Sequence, residues 1–150
     1  MKHYVCRGIL LTVTLVAAFS TVACDESLNS VTGPTPNLDV TFSSIQRDIF
    51  SARDSTGRPA CTSCHSDVGA RFNGLSLQTN AYANLVNAAV RQLPGATRVV
   101  PGNPDNSYLI QKLEGGRGIS GVRMPLGGPY LSEGQLLVIR RWIAIGAPNN

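Results

Sequence analysis

Two thiols and an imidazole stand together in Cys61-Thr62-Ser63-Cys64-His65. Cysteines separated by two residues on one tight turn can both bond to a single flat ligand, and the residue after them is then placed beneath it. This is the spacing of c-type haem attachment: Cys61 and Cys64 make thioethers to the two vinyl groups, and the His65 imidazole binds the iron. The chain holds four Cys and two His. Cys6 and His3 fall in an N-terminal segment with the layout of an export signal. Once that segment is removed, His65 is the sole imidazole.

Other chemistries draw on the same residue types. A thioredoxin-like Cys-x-x-Cys needs a strand before it and a helix after it, whereas Asp54-Ser55-Thr56-Gly57-Arg58-Pro59 reads as a turn. A structural zinc site needs four ligands, and Cys61, Cys64 and His65 are three. A plain Cys61–Cys64 disulfide is a further alternative.

An iron that only carries electrons has strong ligands on both faces, commonly His or Met. No second His survives export. The chain has two Met, and the one outside the leader is Met124, in Gly121-Val122-Arg123-Met124-Pro125-Leu126-Gly127-Gly128-Pro129. A Met on an amphipathic helix usually serves packing. Here a Gly/Pro-rich loop presents it, and Pro125 stiffens the backbone beside the sulfur. The candidate set is therefore Cys61 and Cys64 for cofactor attachment and His65 and Met124 for iron.

No nucleophile constellation or paired-carboxylate motif accompanies this set. With both axial positions filled, a substrate finds no open iron site. The expected role is a one-electron carrier, not an enzyme. The competing role is a haem-based sensor or catalytic subunit in which Met124 is unbound and the open position takes a gas or peroxide.

The elements that must position these residues are helical. Phe42, Ile45, Ile49 and Phe50 share one helix face, with Thr41 as N-cap. A second helix is predicted from Asn80 to Arg91. A third is predicted to begin at Asn103-Pro104 and to end by Gly115-Gly116. The last opens on Ser132-Glu133-Gly134-Gln135, a capping box, and stops at Gly146 and Pro148. Trp142 is expected in the core against Phe42 or Phe50. Arg58, Arg71 and Arg123 are candidate partners for haem propionates, with solvated surface charges as the alternative. No alternating strand pattern appears, so short β pieces at most are expected.

The haem motif, taken with Arg123-Met124-Pro125, resembles that of a single-haem cytochrome c domain. The stretches Val100-Pro101-Gly102-Asn103-Pro104-Asp105-Asn106-Ser107-Tyr108-Leu109, Leu131-Ser132-Glu133 and Trp142-Ile143-Ala144-Ile145-Gly146-Ala147 are similar to those of a planctomycete-type subgroup. The resemblance covers residues 38–150. It implies an all-α fold of about four helices, N- and C-terminal helices that cross, and one covalently attached haem c in a cleft with an edge near solvent.

Lys2, His3 and Arg7 precede an uncharged apolar run from Gly8 to Ala23, shorter than the roughly 20 residues of a membrane span. Thr21-Val22-Ala23-Cys24 resembles a bacterial lipoprotein signal, with Thr21 where that family usually has Leu. The resemblance implies that Cys24 becomes the first mature residue and carries lipid. Residues 1–23 are thus expected to be a signal peptide, 24–37 a lipid-anchored flexible linker and 38–150 the domain. The expected location is the periplasmic side of a cell membrane, with redox proteins as partners.

Charge adds an exclusion. The chain has 13 basic and 9 acidic residues, net +4. Two of the basic residues, Lys2 and Arg7, leave with the signal, and the remainder are scattered singly or in pairs. No basic stripe exists to follow a phosphate backbone, so nucleic acid is not an expected partner.

Overall fold

The computed structural model describes residues 38–70 and 74–150. The expected signal peptide, Cys24 and the linker lie outside the described residues, as does Arg71. Four α-helices are present among the described residues: α1 (Phe42–Ser44), α2 (Ala81–Leu85), α3 (Tyr108–Glu114) and α4 (Glu133–Ala144). No named strand occurs among them, and the only ladder pairing is two isolated bridges, Val86 with Val99 and Ala89 with Thr97. The all-α expectation stands at this level. None of these helices is long and apolar enough to cross a membrane.

The first helical segment is built as its apolar spacing requires, with one change of pitch. Thr41 caps α1 by accepting from the Ser44 N–H at 3.2 Å. From Ile45 to Phe50 the chain widens into a π-helix, closed by Ser51 N–H to the Gln46 carbonyl at 2.9 Å. Phe42, Ile45, Ile49 and Phe50 are all buried, so the apolar face forms despite the wider turn.

The last helix is as its sequence signals it. Ser132 and Gln135 form both bonds of the capping box, at 3.2 and 3.0 Å. Ile139, Trp142 and Ile143 are fully buried, and α4 packs on the π-helical segment. Trp142 lies 5.4 Å from Phe42 between ring centroids, and Tyr82 meets Phe42 edge-on at 5.3 Å. Asn150 completes the join: its side-chain and main-chain oxygens accept from the N–H groups of Phe42 and Ser43, two donors that a helix start leaves without intrahelical partners. The polar tips of Tyr82 and Trp142 reach the carbonyls of Ala147 and Pro148, both at 2.9 Å.

Two helices are shorter than the sequence predicts. The second ends at Leu85, not Arg91. Asn87 takes a left-handed conformation, and residues 87–90 turn their N–H and C=O groups toward residues 96–99. The β-branched Val86, Val90 and Val99 suit that pairing better than a helix. The third begins at Tyr108, with Ser107 as N-cap, not at Asn103-Pro104. Asn103 and Pro104 instead close a separate turn, in which Asn106 N–H donates to the Asn103 side chain at 3.2 Å and Ser107 N–H to the Pro104 carbonyl at 3.1 Å. The buried Ser107 hydroxyl locks that turn, donating to the Asn103 carbonyl at 2.8 Å and accepting from Val100 N–H at 2.9 Å.

Candidate functional site

The Cys61 segment is a tight turn, as two thiols aimed at one ligand require. Cys61–Ser63 is a 3-10 turn, and the Cys61 carbonyl accepts from both Cys64 N–H at 3.2 Å and His65 N–H at 2.8 Å. One carbonyl therefore gathers the backbone of all three residues. The two thiols are free of any disulfide; Cys61 is half-buried and Cys64 exposed. Burial pushes the Cys61 thiol up from its usual range, against the lowering influence of the Arg58 guanidinium.

The chain leaves this turn by folding back over it. A Cβ at Gly69 would collide with the Cys64 carbonyl oxygen, so only glycine permits the approach. Beyond it, the Asp67 carboxylate accepts from the Ser76 and Thr79 hydroxyls at 2.6 and 2.7 Å, and His65 O accepts from Leu77 N–H at 2.7 Å. These hydroxyl bonds hold the Asp67 carboxyl below the usual carboxylate range. The His65 ring nitrogen Nδ1 is buried.

Met124 arrives from the far side of the domain on a loop pinned to α3. Its N–H donates to the Lys112 carbonyl at 2.8 Å. The Lys112 ammonium donates to the carbonyls of Ser120, at 3.0 Å, and Val122. The Tyr108 hydroxyl accepts from Ser120 N–H at 2.9 Å. Tyr108 and Lys112 are four residues apart, so one face of α3 holds the whole loop. The peptide bond from Met124 to Pro125 is cis.

Cys61, Cys64, His65 and Met124 all line a single cavity of about 440 Å³, within the size range of small-molecule and cofactor sites. The Met124 thioether thus lines the same cavity as the thiols and the imidazole although the chain separates it widely from them. Most of the remaining lining is apolar: Phe50, Leu75, Leu77, Leu85, Val90, Leu109 and Leu113 among others. Such walls favour a flat, largely apolar occupant.

The charged lining was not foreseen from sequence. Arg91, Arg98 and Lys112 line the cavity, and no Asp or Glu does. Burial, and after it the like charge of Arg91, pushes Arg98 below its usual value; burial does the same to Lys112. The charged lining is thus cationic, although Arg98 donates to the carbonyls of Asn84 and Gly74 and Lys112 to those of Ser120 and Val122. The only advance signal was the absence of acidic residues from 68 to 104.

Two of the arginines proposed from sequence, Arg58 and Arg123, lie elsewhere. Arg123 does not line the cavity. Its Nε donates to the Leu113 carbonyl at 2.7 Å, capping the end of α3, and its guanidinium stacks 3.8 Å from the Tyr130 ring centroid. Arg58 is neither a lining residue nor a solvated charge. It is completely buried behind Cys61 and paired with Asp54 at 2.9 Å.

Among the described residues no three His, Cys, Asp or Glu side chains come together as a metal set. Two thiols, one imidazole and one thioether line the cavity without meeting at a common point. This is a poor set for structural zinc, which wants four Cys or His ligands, and a good one for an iron porphyrin tied through sulfur. No protein-family model matches the chain, and no significant match is found among curated proteins or solved structures.

Proposed function

We propose that this chain is an exported, membrane-tethered one-electron carrier, with a cytochrome c-like domain holding one c-type haem. Cys61 and Cys64 would hold the porphyrin through thioethers, and His65 and Met124 would ligate its iron. Of the cations lining the cavity, Arg91 would face its carboxylates, since Arg98 and Lys112 donate to main-chain carbonyls. The observation that carries this reading is the convergence of both thiols, His65 and Met124 on one apolar cavity whose charged lining is wholly cationic.

The haem supplies an iron that cycles between ferric and ferrous states, one electron at a time. The protein's share is geometry and environment. The Cys61 carbonyl orients the Cys64–His65 backbone. The loop bonds of Lys112 and Tyr108 hold Met124 at the cavity. The leucine and valine walls would lower the polarity around the iron, which raises the cost of the extra charge in the ferric state. With both His65 and Met124 on the iron, no position would be left there for a substrate, and no enzymatic role is proposed. The lipid on Cys24 would tether the domain to the periplasmic side of a membrane, within reach of redox partner proteins.

An optical spectrum of the purified exported protein tests this reading. The expected result is a low-spin haem spectrum with a weak sulfur-to-iron band, from haem that stays with the chain on a denaturing gel. Met124→Ala is expected to lose that band and to bind carbon monoxide readily. A chain without a Soret band overturns the proposal. Ready binding of carbon monoxide by the wild type replaces the carrier with a ligand-binding haem protein.

A further inference from the structure

Arg58 is the one completely buried cation among the described residues, and its surroundings are built around it. Its Nε donates to Asp54 at 2.9 Å. Both terminal nitrogens donate to the Ile49 carbonyl at 3.3 Å, an acceptor left at the end of the π-helical segment. Nη1 also lies 3.7 Å from the Cys61 sulfur. Asp54 is fixed in turn. One of its oxygens accepts from Thr56 N–H at 3.0 Å, Arg58 N–H at 3.2 Å and the Thr56 hydroxyl.

The pair is therefore oriented. Its positive end touches a cavity-lining sulfur, and its negative end is partly solvated, with 19% of the Asp54 side chain exposed. Water screens Asp54 more than Arg58, so the field that reaches the cavity is positive. A charge kept out of water serves little purpose as a stability device, because its desolvation cost offsets most of the attraction.

We infer that the Asp54–Arg58 pair is an electrostatic setter of reduction potential, with Arg58 favouring the reduced form of the haem and Asp54 opposing it. This rests on the proposed haem function. Reduction adds one electron from an external one-electron donor, moves no atom and lowers the charge of the site by one. A fixed positive charge behind Cys61 therefore stabilises the reduced site relative to the oxidised one. Arg58 acts through the field at the porphyrin edge and is a positioning residue, not a ligand.

Redox titration with mediators, on the purified haem-loaded full chain, tests the inference. Arg58→Gln is expected to shift the ferric-to-ferrous ratio at fixed ambient potential about three- to tenfold toward ferric, a tenfold change being about 59 mV for one electron. Asp54→Asn is expected to shift it in the opposite direction. Arg58→Lys keeps the charge and is expected to restore most of the wild-type value. Opposite signs are the distinguishing readout, since mere loosening admits water in every variant and lowers the potential in all of them. If Arg58→Gln does not accumulate, the sign for Asp54→Asn beside Arg58→Lys still decides. Shifts in the same direction, or none, with the haem spectrum intact overturn the inference alone. A wild-type chain without haem overturns the proposed function and the inference together.

Discussion

The Met124 N–H donates to the carbonyl of Lys112 at 2.8 Å, and the ammonium of that same lysine holds the loop leading to Met124. One residue of α3 thus governs where the loop sulfur sits. Lys112→Met keeps the apolar stem and removes the ammonium. It is expected to cost about 1–2 kcal/mol, because two carbonyls lose a charged donor, with urea unfolding as the measurement. If Met124 ligates the iron as proposed, the freed loop is also expected to let carbon monoxide bind more readily than in the wild type. Unchanged stability and unchanged ligand exclusion would show that the loop is held some other way.

Gly69 marks the closest backbone approach in the site. Gly69→Ala drives a methyl group into the Cys64 carbonyl, and is expected to destabilise the fold by about 1–3 kcal/mol, as overpacking does. If the chain holds haem as proposed, its yield should fall too, because the displaced carbonyl belongs to the Cys61–His65 turn. Gly116→Ala is the control: its Cβ would meet Gln111 only at ordinary contact distance, 3.7 Å. Equal thermal midpoints for the two variants would refute the steric account.

Acid stability should carry the mark of Asp54. Burial opposes its ionisation, but the Thr56 and Arg58 bonds outweigh burial and hold its carboxyl below the usual range. As pH falls, the unfolded chain therefore takes up the proton first. The stabilisation is complete above about pH 4, the ordinary Asp value, and is lost as pH drops through the lower folded value. Wild type is expected to lose stability more steeply than Asp54→Asn below about pH 4, the difference shrinking as pH falls further. Asp48 and Asp67, also held low by their hydrogen bonds, contribute equally to both proteins and cancel in the comparison. Parallel pH profiles by chemical denaturation would contradict it.

The proposed anchor makes a separate prediction. Cys24→Ser should release the protein from membranes without altering its optical spectrum. A single acyl chain binds membranes only marginally, so firm attachment requires the several chains of a lipoprotein. Membrane fractionation is the assay, and association unchanged in the variant would point to a different anchor.

Much of this protein was legible along the chain, because the signals act over a few residues. The Cys61–His65 spacing suggested a chemistry without a fold, and the structure adds that these residues and Met124 line one cavity. Thr41, and Ser132 with Gln135, announce caps whose partners lie three positions away. Phe42, Ile45, Ile49 and Phe50 are on one face by periodicity alone, and the lone Met124 in a Gly/Pro loop stood out by elimination. Tertiary structure decided what depends on distant partners. Asn150 caps α1 across 108 positions. Pairing of residues 87–90 with 96–99 cut α2 short, because backbone groups that find partners in a neighbouring segment no longer need a helix. Arg58, in a turn of small polar residues, read as a candidate propionate partner or a solvated surface charge. It is buried because the Ile49 carbonyl and the Asp54 carboxylate converge on it, and only the folded chain brings enough acceptors together to take a guanidinium out of water.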